Sequence, residues 1–154
     1  MANVNLDQLK KLRKETEVSI ADCRRALEET DGDYDKAVVW LKKHGIEKAA
    51  KKEDRQTSQG LIECYIHQNG KIGSMAEILC ETDFVARTED FKKLAHEIAM
   101  QIAAMNPKDV ETLLKQDYIK DQSMTIENLI KQIIAKLGEN IIVKKFQRFE
   151  IGNK

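Results

Sequence analysis

The stretch LIECYIHQNGKIGSMAEILC, residues 61–80, decides the fold of this chain. Its first part, LIECYIH, alternates in character and predicts a β-strand with one face formed by Ile62, Cys64 and Ile66. Asn69 and Gly70 follow, and because both residues tolerate positive φ they predict a hairpin turn. With a second strand over about 72–80, the stretch predicts an antiparallel hairpin.

The segment after the hairpin repeats like a helix. Apolar residues recur at spacings of three and four from Phe91 to Met105, which predicts a long amphipathic helix. Thr88 can accept hydrogen bonds at the start of this helix as its N-cap. Asn106-Pro107 is expected to end it.

The remaining C-terminal residues predict two more helices and a third strand. The helices are expected near 110–116 and over 126–137, where Gly138 provides a stop. The β-branched and aromatic run NIIVKKFQRFEI, residues 140–151, predicts the strand. Strands therefore come first and last with helices between them, which predicts an α+β fold with a small three-stranded antiparallel sheet flanked by helices.

The N-terminal residues predict a bundle of three short helices. Ser19 can cap the second helix, and Asp22 three residues later resembles the partner in a capping box. Asp31-Gly32-Asp33 is expected to end the second helix and to cap the third. His44-Gly45 is expected to end the third helix.

These patterns divide the chain into three parts. Residues 1–46 form the predicted bundle, and residues 60–154 form the predicted α+β module. Residues 47–59 are charged and poor in large apolar side chains, so they predict a solvated, partly helical linker.

The composition narrows the class of protein. The 154 residues include 26 Lys plus Arg and 26 Asp plus Glu, whereas a generic nucleic-acid binder usually has a basic excess. The three cysteines form no CxxC pair and indicate neither a zinc ribbon nor a disulfide framework. The start, MANVNLDQLK, lacks the apolar region of a signal peptide, and no apolar run approaches about 18 residues. We therefore expect a cytoplasmic protein without a membrane span; a mature organellar protein is the alternative.

Residues with catalytic or metal-binding potential are few. His44, His67 and His96 lie far apart, and none has a histidine or cysteine at i+3 or i+4. Cys80 with His96 as its base would make a thiol nucleophile. A free strand cysteine is, however, more often buried as a small apolar residue. We expect no metal, no cofactor and no covalent chemistry.

Residues 80–91, CETDFVARTEDF, place an aromatic side chain in a charged loop between strand and helix. Phe84 either folds back over the core or enters a partner, and burial favours the first because it is worth about 1.5–3 kcal/mol. The polar neighbours Thr82, Asp83 and Arg87 form a poor core lid. Exposed aromatic side chains are also typical anchors in partner pockets.

Three segments, in order, resemble the elongation factor Ts family. Residues 9–52 resemble its opening, including a D-C-x-x-A-L element at 22–27. TDFVA, residues 82–86, resembles the family signature, and GENIIVKKF, residues 138–146, resembles a third element. The resemblance covers nearly the whole chain. It implies a ubiquitin-associated-like three-helix domain followed by one core module.

The resemblance also implies a function, that of guanine-nucleotide exchange factor for the translational GTPase elongation factor Tu. Phe84, within Thr82-Asp83-Phe84-Val85, would enter the GTPase domain beside switch II and displace the elements that hold Mg²⁺. The N-terminal domain would bind the same GTPase domain through Val18, Ser19 and Ile20. The implied partner is Tu, GDP-bound or nucleotide-free, with no nucleic acid or membrane involved.

The number of core modules bears on the oligomeric state. Many family members carry two modules, whereas this chain carries one, and short forms of the family work as homodimers. A homodimer is therefore expected, and a fragment or a monomer is the alternative. An exposed edge strand in a three-stranded sheet also favours self-pairing. A rival function of a different class is an adaptor whose bundle binds ubiquitin-like or helical partners.

Overall fold

A computed structural model describes residues 4–153 of the chain. In chain order the elements are α1 (Leu6–Thr16), α2 (Ile20–Glu29), α3 (Tyr34–Ala50), β1 (Gln59–Ile66), β2 (Ile72–Cys80), α4 (Asp83–Ala86), α5 (Glu89–Met105), α6 (Val110–Lys115), β3 (Asp117–Tyr118), β4 (Asp121–Thr125), α7 (Ile126–Leu137) and β5 (Ile141–Glu150). These bounds agree closely with the predicted elements, apart from α3, α4 and the β3–β4 pair.

The main sheet is antiparallel in the order β1-β2-β5. The inward residues of β2, Ala76, Ile78 and Cys80, are fully buried and share one core with Phe91 and Ile98 of α5. The amphipathic helix α7 adds Ile126, Ile130 and Ile134 to the same core. The predicted α+β class, with a three-stranded antiparallel sheet flanked by helices, is confirmed.

The hairpin connection between β1 and β2 is longer than the Asn69-Gly70 pair alone, since β1 ends at Ile66 and β2 begins at Ile72. The predicted hairpin forms and Gly70 has φ of 67°, but Asn69 does not adopt positive φ. The Gly70 N–H donates to the His67 carbonyl at 2.7 Å, and the side chain of Asn69 accepts from the Lys71 N–H at 3.0 Å. Asn69 therefore stabilises a longer loop with its side chain, and glycine supplies the left-handed residue.

The two faces of the sheet differ in their surroundings. Leu61 packs partly against the core, and Tyr65 on the same side of β1 lies edge-on to His96 of α5. The predicted face of Ile62, Cys64 and Ile66 points away from the helices and is exposed. The sheet is thus covered by helices on one face and carries an uncovered apolar strip on the other.

The N-terminal helices form their own small core. Its buried residues come from all three helices: Leu9, Leu12, Cys23, Ala26, Leu27, Ala37 and Leu41. Ser19 caps α2 by accepting from the Asp22 N–H, and Asp33 caps α3 by accepting from the Lys36 N–H, as predicted. The α2 stop also agrees, because Asp31 and Gly32 both adopt positive φ.

The third helix does not end at His44-Gly45, and that prediction was wrong. Helix α3 continues to Ala50, and Ala49 is fully buried in the core of the α+β module. Gly45 lies inside the helix, where an added Cβ would come within 3.1 Å of the Cβ of Ala135 on α7. This glycine allows a close helix contact rather than a stop. Residues 47–50 of the predicted linker are therefore helical, while the division of the chain into domains stays a prediction.

A two-stranded ribbon, β3–β4, was missing from the sequence prediction. It is fixed to α5 through a buried carboxylate: Glu97 accepts from the Tyr118 hydroxyl at 2.6 Å and from the Lys120 ammonium at 2.7 Å. The fully buried Gln101 adds bonds to the Asp117 carbonyl and the Ile119 N–H. Strands of two and five residues are too short to produce a readable alternation.

Candidate functional site

The TDFV segment, residues 82–85, forms one helical turn rather than the open loop that the sequence predicted. Thr82 is the N-cap of α4, and its hydroxyl accepts from the Val85 N–H at 3.4 Å. The turn closes with bonds from the Arg87 N–H to the Asp83 carbonyl and from the Thr88 N–H to the Val85 carbonyl. Thr88 then caps α5, so two capped helices follow each other without a flexible connection.

Neighbouring residues of this turn point in opposite directions. Val85 is buried in the module core, with 9% of its surface accessible. Phe84 has 78% of its surface accessible, so it does not cover the core. Val85 therefore anchors the turn while Phe84 projects from it.

The base of the turn is held by Glu139, which lies between α7 and β5. One carboxylate oxygen accepts from the backbone N–H groups of Glu81 and Thr82, at 3.2 and 3.0 Å. The other accepts from the Thr82 hydroxyl at 2.6 Å. Hydrogen bonds to a charged acceptor are among the stronger ones in proteins, so this clamp fixes the start of α4.

A second layer of polar contacts supports the clamp. The Glu81 carboxylate accepts from the Asn140 N–H at 2.7 Å. The Asn140 side chain, itself buried, donates to the carbonyls of Glu53 and Arg55 at 3.2 and 2.9 Å. The segment before β1 is thus tied to the same corner as the TDFV segment.

The charges beside Phe84 are exposed and paired. Asp83 contacts Arg87 at 2.8 Å one helical turn away, with side chains 46% and 77% exposed. Pairs of this kind contribute only about 0.3–0.5 kcal/mol to stability, so both groups can turn to a partner at little cost.

The second candidate segment, Val18-Ser19-Ile20, connects α1 to α2. Val18 packs partly on the bundle core, and Ile20 is 54% exposed. The Ser19 hydroxyl donates to the Asp22 carboxylate at 2.7 Å while it accepts the Asp22 N–H, so Ser19 has a structural role in the cap. Ile20 is the apolar group of this segment that a partner can reach.

The two candidate segments are connected within the chain. The Lys136 ammonium on α7 contacts the carboxylate of Glu17, the residue before Val18. It also contacts Asp90, in the first turn of α5, at 3.0 Å. The structure thus links the two segments through one side chain, a relationship that no sequence pattern indicated.

The thiol alternative has no support in the geometry. Cys80 is fully buried and its Sγ donates to the Thr82 carbonyl at 3.1 Å. Burial, followed by the nearby negative charge of Glu139, raises the pKa of Cys80 to about 11, so the thiol is protonated at neutral pH. His96 lies beside Glu63, at 3.4 Å, and Tyr65.

Residues 4–153 offer neither a metal-binding cluster nor a membrane-spanning helix. No group of three His, Cys, Asp or Glu side chains there is arranged to hold a metal ion. Among the helices of this part of the chain, none is long and apolar enough to cross a membrane.

Sequence reasoning missed Glu139 and Asn140 as supports of the site. The available signal was their position: two polar residues directly after the helix stop Gly138 and directly before an apolar strand. Such residues often satisfy backbone groups at a junction. Their partners lie far away in sequence and could not be read from it.

Comparisons with known proteins show which family the chain is similar to. Residues 81–154 match the sequence model of the family described as Elongation factor TS, and residues 1–51 match that described as Elongation factor Ts, mitochondrial, N-terminal. Elongation factor Ts of Oleidesulfovibrio alaskensis is 42% identical to this chain over 99% of the chain and 100% of the relative.

Two further relatives extend the comparison. Elongation factor Ts of Rippkaea orientalis is 41% identical over 99% of this chain and 80% of its own length. That of Nostoc sp. is 44% identical over the whole of this chain but only 49% of its own length, so the chain spans about half of that relative. With matches to both family models and relatives above 40% identity along almost its full length, the chain belongs to the elongation factor Ts family.

Proposed function

We propose that this chain is a guanine-nucleotide exchange factor for elongation factor Tu, and that it acts by inserting Phe84 into the GTPase domain. Membership of the elongation factor Ts family supports exchange on Tu as the general function. The observation that carries the mechanism is the 78% exposure of Phe84 on a capped and clamped turn. The chain supplies binding and shape, and it makes or breaks no covalent bond.

The exposure of Phe84 is costly unless the side chain is used. Burying a phenylalanine ring is worth about 1.5–3 kcal/mol, and this chain leaves that energy available for a complex. Val85, the next residue, shows that the turn could have directed an apolar side chain inward. Phe84 therefore has the character of an anchor residue at an interface.

The support beneath Phe84 suits a side chain that must displace structure in a partner. Glu139 holds two backbone N–H groups and the Thr82 hydroxyl, and Val85 fixes the other side of the turn. A turn that is already ordered loses little conformational entropy on binding. More of the burial energy of Phe84 is then available to move the partner.

Insertion of Phe84 would weaken nucleotide binding by the GTPase through its Mg²⁺ ion. Mg²⁺ bridges phosphate oxygens and protein ligands in such enzymes and neutralises their charge. An apolar side chain that displaces the loop holding Mg²⁺ weakens nucleotide binding without competing for the base. By linkage, the nucleotide weakens the binding of the factor by the same amount, and typical couplings are about 1–3 kcal/mol.

The N-terminal domain provides the second contact with Tu in this proposal. Ile20 is exposed on the α1–α2 connection, next to the partly buried Val18. Ser19 keeps this connection rigid through its bonds with Asp22. We assign binding strength to this segment and nucleotide release to the TDFV segment.

We also propose that the uncovered face of the sheet pairs with a second copy of this chain. This outer sheet face carries five exposed or half-exposed apolar side chains: Ile62, Cys64, Ile66, Met75 and Phe149. It also holds one ion pair across neighbouring strands, Glu77 with Lys145 at 3.8 Å. A two-fold axis that passes midway between these two residues would bring each charge to the opposite charge on the other copy, because such an interface is self-complementary.

Release of fluorescent GDP from Tu tests the exchange mechanism. At saturating factor, Phe84→Ala is expected to lower the release rate about tenfold or more, which corresponds to a loss of about 1.4 kcal/mol or more. Met105→Ala is the control, because Met105 is also exposed, at 49%, but lies at the far end of α5. This helix has 17 residues, so its two ends are about 25 Å apart. Equal rates for wild type and Phe84→Ala would remove the mechanism.

Light scattering after size exclusion tests the dimer. The wild type is expected at twice the chain mass of 17.7 kDa, and Ile66→Asp, on the outer sheet face, at the chain mass. A wild-type monomer at all concentrations would contradict the second-copy proposal while leaving the exchange mechanism open to its own test.

A further inference from the structure

The two segments proposed to bind Tu are joined by Lys136, in the last turn of α7. Its ammonium contacts Glu17, which ends α1 with φ of 54° directly before the Val18-Ser19-Ile20 segment. It also contacts Asp90 at 3.0 Å, at the start of the helix that follows the TDFV segment. One side chain, 25% exposed, therefore bridges the bases of both segments.

The two carboxylates at this bridge need a positive charge between them. Without Lys136, the carboxylates of Glu17 and Asp90 would face each other with no positive charge between them, and like charges repel. Burial works to lower the pKa of Lys136, but the bonds and charges of Glu17 and Asp90 outweigh it and raise the pKa. The Lys136 side chain is therefore positively charged at neutral pH.

Close packing and open space lie side by side where α3 meets α7. Gly45 and Ala135 bring α3 and α7 together closely, as a Cβ on Gly45 would lie 3.1 Å from that of Ala135. Next to this contact the two helices separate around a crevice of about 360 Å³, lined by Val18, Leu41 and Ile133 among others. Gly45 and the buried Ala49 hold α3 against the module, and the crevice leaves open space beside the end of α1, so the α1–α2 connection can shift relative to α7. Lys136 lies at the rim of the crevice, where it can limit such a motion.

We infer that Lys136 is a positioning residue for exchange, which fixes the orientation of the Val18-Ser19-Ile20 segment relative to the TDFV segment. This inference rests on the proposed function. When the first segment binds Tu, a fixed orientation presents Phe84 to its site at a high effective concentration. When the orientation is loose, binding persists but insertion of Phe84 becomes less frequent.

The dependence of GDP release on factor concentration separates these effects. Lys136→Met, which keeps the length of the side chain and removes its charge, is expected to lower the maximal release rate about 3- to 10-fold. The half-saturating concentration should change little, because the binding segment is intact. Ile20→Ala should do the reverse, raising the half-saturating concentration with little effect on the maximal rate. Lys136→Arg, which can still contact both carboxylates, should restore the maximal rate.

Lys131 provides a matched control on the same helix. It is 19% exposed and contacts two carboxylates, Glu127 at 3.0 Å and Glu53 at 3.6 Å, but neither belongs to the two segments. With Lys131→Met as the factor, Tu should therefore release GDP at the wild-type maximal rate. Thermal unfolding of each variant shows whether it is folded. Glu17→Gln cuts the bridge on the bundle side while Lys136 keeps Asp90, so it tests the inference if Lys136→Met does not fold.

The outcomes distinguish this inference from the function on which it rests. A wild-type maximal rate for folded Lys136→Met, or for Glu17→Gln in its place, overturns the positioning role if Phe84→Ala is slow. Equal losses for Lys136→Met and Lys131→Met also overturn it, since the effect would then reflect the loss of any partly buried positive charge on α7. If Phe84→Ala matches the wild type, the proposed Phe84 mechanism itself fails.

Discussion

The carboxylate of Glu139 accepts the backbone N–H of Thr82 at 3.0 Å, although the two residues lie 57 positions apart in the sequence. This contact joins two of the segments that resemble the family, TDFVA and GENIIVKKF. GENIIVKKF therefore supports TDFVA directly, because its Glu139 holds the turn from which Phe84 projects. The clamp also gives the first prediction.

Glu139→Ala should loosen the TDFV segment while leaving Phe84 in place. The N–H groups of Glu81 and Thr82 would lose their acceptor, at a cost of about 1–3 kcal/mol in the free energy of unfolding. Amide hydrogen exchange should become faster at residues 81–85, and maximal GDP release from Tu should fall.

Glu111→Ala is the control for that variant. Glu111 is 78% exposed and pairs with Lys115 on α6, so its loss should change stability by less than about 1 kcal/mol. Unchanged amide exchange at residues 81–85 in Glu139→Ala would show that Glu139 does not fix the turn.

Gly45→Leu should force α3 away from α7. The Cβ alone would lie 3.1 Å from the Cβ of Ala135, which is closer than ordinary van der Waals contact, and overpacking of this kind costs about 1–3 kcal/mol. Urea unfolding measures the change, and Val39→Leu on the exposed side of the same helix should alter stability by less than about 0.5 kcal/mol. A Gly45→Leu protein as stable as the wild type would contradict the close contact between the two helices.

The buried carboxylate of Glu97 should make stability depend on pH. Burial works to raise its pKa, but the bonds from Lys120 and Tyr118 outweigh it and lower the pKa below 4.5. Because the folded-state pKa is the lower one, the stabilisation is present above 4.5 and is lost as the pH falls through the folded-state value.

Thermal unfolding of wild type and Glu97→Gln as a function of pH measures this effect. The wild type should be more stable than Glu97→Gln at pH 7 by about 1.5–3 kcal/mol, the range for hydrogen bonds to a charged group. The gap between the two proteins should narrow as the pH falls below 4.5. A gap that stays constant down to the acid transition would argue against an ionised Glu97 as the support of the ribbon.

Much of the fold could be predicted because its signals are local. Ser19, Asp33 and Thr88 each cap a helix where the sequence indicated a cap, since a cap depends on residues within one turn. Gly45 was misread for the opposite reason. Glycine after an apolar stripe is typical of a helix end, and only the approach of Ala135, 90 positions later, shows its actual role.

The candidate site was predictable in part. The polar neighbours of Phe84 favoured an exposed side chain, and the structure shows that exposure. The supports of the site could not be predicted, because Glu139 and Lys136 act through partners distant in sequence. The function of the segment was implied by a resemblance, and the role of Phe84 on Tu stays a proposal.

The most direct measurement is the rate of GDP release from Tu at saturating factor, with Mg²⁺ present and with Mg²⁺ removed by a chelator. The account predicts that Phe84→Ala is slower than the wild type by about tenfold or more in Mg²⁺. It also predicts that most of this difference disappears without Mg²⁺, because the elements that Phe84 displaces no longer hold the ion. Two results would contradict the account. One is GDP release in Mg²⁺ that is as fast with Phe84→Ala as with the wild type. The other is a rate difference between the two proteins that is the same with and without Mg²⁺.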